Sequence, residues 1–91
     1  MQWVKWKASA LYDLAEIIDY IEQHNTVASS KLHQQIVHVT ENLSQHPYLY
    51  RSGRVPGTRE IVVHPNYLVV YTIDELQIEI LRVLHARQEY P

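Results

Sequence analysis

The chain contains no cysteine among its 91 residues, which excludes disulfide frameworks and thiolate metal sites. No stretch approaches the roughly 18 uninterrupted apolar residues that a membrane-spanning helix needs. The N-terminal stretch carries lysines directly after its first apolar residues and acidic residues inside its longest apolar run, so we expect no signal peptide. These absences predict a cytoplasmic protein that does not contact a membrane.

Glycine and lysine are also scarce. The two glycines both lie in the segment 46–57 and form no phosphate-binding loop. Lysine is absent after Lys31, so every cation of the second half is an arginine, which suits planar recognition of phosphate or carboxylate better than lysine does. The formal net charge of −2 argues against a general nucleic-acid-binding surface.

The six histidines do not predict a metal site. His33 and His38 are five residues apart on a predicted helix, whereas a shared metal on one helix face wants a spacing of three or four. No serine has a recognisable catalytic-triad context. We therefore expect neither a metal nor another cofactor.

What is present is ordinary globular composition, with 46% apolar and 20% charged residues. The length predicts a single domain, residues 1–91. A domain of this size buries only about 60–65% of its unfolded surface, so we expect a thin core.

Apolar residues recur at helical spacing in two segments of the first half. The first segment predicts an amphipathic helix from about residue 10 to residue 24, with Ser9 as its N-cap. The second helix begins with Thr26 as its cap and ends before Pro47, because a residue that precedes proline avoids the helical region. The buried stripes consist of Leu11, Leu14, Ile17, Ile18 and Ile21 in the first helix and Leu32, Ile36, Val39 and Leu43 in the second. The short break between them predicts an antiparallel αα-hairpin.

The period changes to two after a loop at residues 46–57. Three strands are predicted at residues 58–64, 67–73 and 76–85, and the aromatic segment 2–6 can form an edge strand. The links between the three later strands are two residues long, so neighbouring strands must run antiparallel.

The last strand is apolar on both faces, which predicts a central position in the sheet. Strict alternation puts Ile78, Ile80 and Leu84 on one face and Leu81 and Val83 on the other. The helices would cover one face, and the other would be open for a partner. The predicted fold class is α+β, in the order β-α-α-β-β-β, with an antiparallel sheet packed on an αα-hairpin.

Four stretches, taken in order, resemble the RelE/ParE superfamily of bacterial toxins from type II toxin–antitoxin modules. They read "ALYDLAEIIDYI", "ENLSQHPYLY", "RVPGTREIVVHPNYLVVYTI" and "IEILRVLHARQEYP", and together they cover nearly the whole chain. A Gly-x-Arg-Glu strand entry, an apolar strand ending in tyrosine and a last strand reading Val-Leu-His-x-Arg are typical of the family. "HPYLY" and "VPGTREIVVHPNY" resemble the ParE branch most.

The resemblance implies a compact, growth-inhibiting toxin, of a kind associated with plasmid stabilization, that a cognate antitoxin protein neutralises by covering its functional surface. Members of the ParE-like branch poison DNA gyrase. Members of the RelE-like branch enter the ribosomal decoding site and cut mRNA. We expect one of these two targets.

Cutting RNA through its own 2′-hydroxyl needs a base, an acid and a cation that stabilises the phosphorane. Arg59, His85 and Tyr90 lie in places comparable to those that RelE-like members use, and His64 and Arg82 are further candidates. Such an enzyme would be a metal-independent mRNA endoribonuclease acting on the ribosome. The shortage of cations counts against it, because phosphate neutralisation is the main source of nucleic-acid affinity. The Val-Leu-His-x-Arg stretch also occurs in ParE-like members and does not discriminate between the branches.

Two of these residues have structural alternatives of similar weight. His85 falls at a strand end, where it can hydrogen-bond a neighbouring backbone carbonyl. Arg59 alternates with Ile61 and Val63 on one face, so it can form an ion pair within the sheet.

The remaining candidates lie at the end of the chain. Arg82 sits among apolar neighbours and is expected to pair with Glu60 or Glu79. Arg87 and Tyr90 are expected to be exposed and to contact an antitoxin or a target.

The favoured hypothesis is a toxin of the ParE branch that inhibits DNA gyrase by binding. Its predicted contact surface is the open face of the sheet with the C-terminal segment, made of Arg59, Arg82, His85, Arg87 and Tyr90. The first alternative is a ribosome-dependent mRNA endoribonuclease that uses Arg59, His85 and Tyr90. The second is a relative that has lost toxicity and only binds an antitoxin.

Overall fold

The computed structural model describes residues 3–90 as two helices and five strands. In chain order they are β1 Trp3–Trp6, α1 Ala8–Glu22, α2 Thr26–Glu41, β2 Arg51–Ser52, β3 Arg59–His64, β4 Tyr67–Ile73 and β5 Gln77–His85. The strands form one sheet in the order β1-β5-β4-β3-β2. The predicted α+β class is confirmed, and β5 lies inside the sheet as expected. Residue 2 of the predicted first strand lies outside the described residues.

The sheet is mixed rather than wholly antiparallel. β1 runs parallel to β5, with Val4 opposite Ile78, while β2 to β5 pair antiparallel. A parallel neighbour needs a long crossover connection, and the helical hairpin that follows β1 supplies it. The two residues of β2, taken from the predicted loop, pair with the start of β3.

The larger core lies between the sheet and the helical hairpin. The sheet contributes Ile61, Val69, Tyr71, Ile78, Ile80 and Val83. Of the stripe predicted for the second helix, Leu32 and Ile36 are buried and Val39 is half-buried. Leu43 is also buried, but it lies after α2, which ends at Glu41 rather than just before Pro47. On α1 the prediction is wrong at Leu11, which is 53% exposed, whereas Ala10 is buried. Within residues 3–90, neither helix has the length and apolar composition that a bilayer crossing requires.

Both predicted helix caps are wrong by one or two residues. α1 begins at Ala8 after Lys7, which makes no side-chain cap, and Ser9 instead donates its hydroxyl to the carbonyl of Leu81, 2.8 Å away. α2 is capped by Asn25, whose side-chain oxygen accepts from the Ala28 N–H at 2.9 Å. Asparagine is as favourable an N-cap residue as serine, and Asn25 stands directly before Thr26, the first residue of the helix.

A β-bulge in β5 reverses the predicted faces of its second half. Tyr71 of β4 pairs with Ile80, but Val70 pairs with Arg82, so Leu81 is an extra residue. An extra residue shifts the two-residue alternation by one. Val83 therefore packs in the core beside the helices, and Leu84 faces the opposite side.

The second face of the sheet carries a smaller apolar cluster. Leu68, Val70 and Leu84 are buried there, and Ala86 and Tyr90 pack against them. Ala86 and Tyr90, near the end of the chain, therefore cover part of the sheet face that was predicted to be open.

Candidate functional site

The end of the chain crosses the second face of the sheet as a strap, which we define as residues 86–90. It leaves β5 through a turn in which the Gln88 N–H donates to the His85 carbonyl at 2.9 Å. Arg54 then holds it from the loop between β2 and β3. The guanidinium donates from Nη1 to the Gln88 carbonyl at 2.9 Å and from Nη2 to the Ala86 carbonyl at 3.1 Å.

The strap ends on a buried carboxylate. Glu60 is 3% exposed, and its Oε1 accepts from Arg51 Nη2 at 3.0 Å. Its Oε2 accepts from the backbone N–H of Arg54 at 3.2 Å and from the hydroxyl of Tyr90. The Arg54 guanidinium also lies 5.2 Å from the centre of the Tyr90 ring, close enough for a cation–π contact. One carboxylate therefore joins β3, the loop after β2 and the strap.

These contacts shift the pKa values of both partners. Burial pushes the pKa of Glu60 upward, but the hydrogen bonds from Tyr90, Arg54 and Arg51 outweigh it, so the pKa is lowered. Burial, together with the hydrogen bond to Glu60, raises the pKa of Tyr90. At neutral pH the pair is therefore a carboxylate accepting from a neutral phenol.

Arg59 lies on the helix side of the sheet and braces a loop. Its guanidinium donates to the Tyr50 carbonyl at 2.6 Å and stands 5.0 Å from the centre of the Tyr48 ring. The neighbouring Tyr71 donates its hydroxyl to the Pro47 carbonyl at 2.6 Å, and burial raises the pKa of that hydroxyl to about 12. The expected ion pair at Arg59 is replaced by hydrogen bonds to backbone carbonyls.

His85 also belongs to the helix side. Its ring meets Tyr67 edge-on with centroids 5.5 Å apart, and Tyr67 packs against the larger core. Its Nδ1 accepts from the backbone N–H of Arg87 at 3.1 Å, so the histidine is an acceptor in the turn after β5. The prediction was that His85 hydrogen-bonds a backbone carbonyl, whereas its Nδ1 binds a backbone N–H.

The structure does not bring the three nuclease candidates together. Arg59 is opposite Tyr71 and His85 opposite Tyr67, four residues apart along β4. Four residues of strand span about 13 Å, and β3 and β5 lie on the two sides of β4, about 9–10 Å apart. Tyr90 lies on the other face of the sheet, so no single substrate phosphate can touch all three in this conformation.

Arg82 pairs with neither predicted glutamate. It reaches round the sheet to Asp13 of α1, with Nε 2.6 Å from Oδ2 and Nη2 3.1 Å from Oδ1. The same carboxylate accepts from the Val83 N–H at 3.0 Å. The hydrogen bond to Asp13 raises the pKa of Arg82, which keeps the pair charged. Asp13 and Ser9, one helical turn apart, thus bind backbone groups of β5 beyond the end of its pairing with β1.

Of the five predicted contact residues, Arg82, Arg87 and Tyr90 lie on the open face or the strap. Arg87 is exposed, as expected, whereas Tyr90 is half-buried. Sequence reasoning missed Arg54 and Asp13 and treated Glu60 only as a partner for Arg82. The alternation of β3 could have put Glu60 on the open face, but no sequence pattern ties it to a tyrosine thirty residues later.

A cavity of about 250 Å³ lies beside the strap on the same face. Its lining includes three apolar residues, Val55, Val70 and Leu81, and two cationic residues, Lys7 and Arg82. Tyr90 also lines the cavity. Among residues 3–90 no group of three or more histidine or acidic side chains is placed to hold a metal ion.

The comparisons with known proteins agree with this architecture. Residues 4–90 match the family model of the ParE toxin of the type II toxin–antitoxin system parDE. Protein Y4kP of Sinorhizobium fredii is 35% identical over 97% of this chain and 92% of its own length, and toxin RelE2 of Caulobacter vibrioides is 32% identical over 94% and 97%.

A solved structure from the chromosomal ParDE system of P. aeruginosa superposes with a TM-score of 0.81 at 25% identity, covering 93% of this chain and 96% of that one. The family match spans almost every described residue, and both curated relatives exceed 30% identity over nearly their full length. The chain therefore belongs to the family of ParE toxins of type II toxin–antitoxin systems, within the RelE/ParE superfamily.

Proposed function

We propose that this toxin inhibits DNA gyrase by binding it and that a cognate antitoxin neutralises it. An antitoxin is proposed because the matched family and the P. aeruginosa relative both belong to toxin–antitoxin systems. The choice of gyrase rests on the ParE branch, whose members are gyrase poisons.

The proposal favours binding over catalysis because of where Arg59, His85 and Tyr90 lie. Arg59 and His85 lie at opposite ends of the helix side, and each is engaged by backbone groups. Tyr90 is bound to Glu60 on the other face. A general acid or base must lie within hydrogen-bond reach of the proton that it moves, and these groups have no common point of approach.

The proposed contact surface is the open face with the strap. It presents the exposed Arg87 and the cavity whose lining includes Lys7 and Arg82. Arginine and tyrosine are the residue types that dominate binding energy at protein interfaces. Arg59 and His85, which were also predicted to contact a partner, lie on the helix side of the sheet and outside this surface.

The test is a purified gyrase reaction that follows linearised plasmid, alongside induction of the toxin in bacteria without antitoxin. We expect plasmid linearisation and the DNA-damage response. Arg87→Ala should weaken inhibition about tenfold or more if it is a central contact. Lys31→Ala, an exposed cation on α2, is the matched control and should inhibit like the wild type.

Two other outcomes would contradict the proposal. If translation stops first, with mRNA cut within codons while gyrase keeps its activity, the protein is a ribosome-dependent endoribonuclease. His85→Ala should then cost about 10²–10⁴-fold in rate. If induction causes no growth defect, the protein is a relative that only binds its antitoxin.

A further inference from the structure

Arg59 is a half-buried cation without a carboxylate partner. The ion pairs among residues 3–90 involve Arg51, Arg54 and Arg82. Arg59 takes part in none of them, although its side chain is partly withdrawn from water. Taking a charge out of water without pairing it costs free energy, and an anion from outside the chain would offset that cost.

Part of the Arg59 guanidinium is available to bind such an anion. Its hydrogen bonds to the Tyr50 carbonyl at 2.6 Å and to the Tyr48 carbonyl at 3.5 Å are both donated by Nη1. Within residues 3–90, Nε and Nη2 have no acceptor, and no buried side-chain nitrogen lacks one, so solvent reaches both atoms. Arg82 uses the same two nitrogens to bind both oxygens of Asp13. Nε and Nη2 of Arg59 therefore offer a planar pair of donors that matches a carboxylate or a phosphate.

Arg59 lines a cavity of about 330 Å³ beside the loop that joins β2 and β3. Small-molecule sites in proteins begin at about 300 Å³. The lining also includes aromatic and apolar residues, namely Tyr48, Val55, Pro56 and Ile73. Tyr48 is 69% exposed, and its ring centre lies 5.0 Å from the Arg59 guanidinium. A cation and an accessible aromatic ring thus stand side by side in one cavity.

The walls of this cavity are held by contacts within the chain. The loop between β2 and β3 is closed by the Gly53 N–H, which donates to the Thr58 carbonyl at 2.8 Å. A Cβ at Gly53 would collide with the Thr58 hydroxyl, so the loop closes this tightly only with glycine. The segment that carries Tyr48 is held at Pro47, whose carbonyl accepts from the Tyr71 hydroxyl at 2.6 Å. A preformed site loses less binding energy to ordering.

We propose that this cavity binds a small molecule in which an oxyanion is joined to a flat ring, such as an aromatic carboxylate or a nucleoside monophosphate. The oxyanion accepts from Nε and Nη2 of Arg59, and the ring lies against Tyr48. The formal net charge of the chain is −2, so local geometry rather than a general positive field attracts the anion. Arg59 lies on the helix side of the sheet, opposite the face proposed to contact gyrase, and the inference does not depend on the proposed function.

The test titrates the full ¹⁵N-labelled chain with benzoate and with adenosine 5′-monophosphate, the two sources of this chemistry. At least one of them should give saturable shifts at the amides of Gly53, Thr58 and Arg59, with a dissociation constant below about 10 mM. The neutral counterparts benzamide and adenosine should bind at least about tenfold more weakly, because they lack the charged acceptor. Inorganic phosphate lacks the ring and should bind at least about fivefold more weakly. A single-stranded oligonucleotide is titrated separately.

Variants of the two contact residues locate the ligand. Arg59→Gln should weaken binding about tenfold or more, and Tyr48→Ala about fivefold or more. Arg59→Lys keeps the charge but loses the paired donors, so it should weaken binding about fivefold or more, and it serves if Arg59→Gln does not fold. Lys31→Gln removes an exposed cation of α2, and Tyr12→Ala removes an exposed ring of α1. Both are matched controls and should bind as the wild type does.

Several results would overturn the proposal. Without saturable shifts from either anion, the cavity holds no such ligand. Inorganic phosphate that binds as tightly as the ring-bearing anions would make Arg59 a site for an adventitious ion only. Binding of the oligonucleotide alone would make this a nucleic-acid surface, and equal affinity of Arg59→Lys and the wild type would place the ligand elsewhere. The assay contains no gyrase, so its failure leaves the proposed function standing, and failure of the gyrase reaction leaves the cavity standing.

Discussion

Asp13→Ala tests whether α1 holds the bulge of β5. The carboxylate accepts from the Val83 N–H at 3.0 Å and from Arg82 Nε at 2.6 Å. The Asp13 side chain is 12% exposed and that of Arg82 is 36% exposed. The substitution therefore leaves the Val83 N–H poorly solvated and without its acceptor. The Arg82 guanidinium also loses its partner, but it can turn toward water.

The expected loss is intermediate for these reasons. An unsatisfied buried N–H costs about 1–3 kcal/mol. Breaking a fully buried ion pair costs about 3–5 kcal/mol, but the exposure of Arg82 reduces its share to about 1 kcal/mol or less. We expect Asp13→Ala to lower the free energy of unfolding by about 2–3 kcal/mol, from a total of about 5–14 kcal/mol for a chain of this length. The melting temperature should fall by about 10–20 °C.

Urea unfolding with a constant m-value is the measurement. Asp13→Asn keeps an acceptor for Val83 and loses the charge, so it should cost about half as much. Asp19→Ala, at an exposed position of α1, has the same gain in helix propensity without the contacts and should cost under about 0.5 kcal/mol. If Asp13→Ala falls within that margin too, the bulge does not depend on α1.

Three further predictions use other parts of the fold. Because hydrogen bonds lower the pKa of Glu60 below the usual 4.5, its stabilising contribution is present above that pH and is lost as the pH falls through the folded value. Amide protection of the strap should therefore fall as the pH is lowered below 4.5, and Glu60→Gln should abolish that dependence. Gly57 has φ +86°, so Gly57→Ala should cost about 1–2 kcal/mol in urea unfolding although its Cβ meets no neighbour. Tyr71→Phe removes the donor to Pro47 and should cost about 1 kcal/mol in the same assay, whereas Tyr12→Phe, at an exposed position, should cost almost nothing.

The sequence predicted the elements well because their periods are local. The strand at residues 67–73 was predicted with its bounds, and the strand at 76–85 begins one residue later than expected. Each needs only alternating apolar side chains and polar links. The cap of α2 was missed because Asn25 and Thr26 are both good candidates, and only the backbone path decides which one is outside the helix. The cap of α1 was missed because the helix begins after Lys7, which makes no side-chain cap.

The site was predicted poorly because its partners are far apart in sequence. Arg82 and Asp13 are separated by 69 residues, and Tyr90 and Glu60 by 30. No periodicity connects such pairs, and every arginine has several acidic residues as possible partners. The resemblance identified the last strand and the residues after it as important, but it could not tell which face each side chain takes.

The bulge at Leu81 connects these errors. With strict alternation, His85 would share a face with Leu81 and Val83, the face that also carries Glu60. The extra residue instead turns Val83 and His85 toward the helices and sends Leu84 to the open face. Leu84 then completes the apolar cluster on which Tyr90 lies. A single inserted residue therefore separates the histidine from the tyrosine and builds the surface that the strap covers. If Asp13 and Ser9 fix that residue through Val83 and Leu81, then two side chains of α1 decide which face of the sheet Leu84 and His85 take.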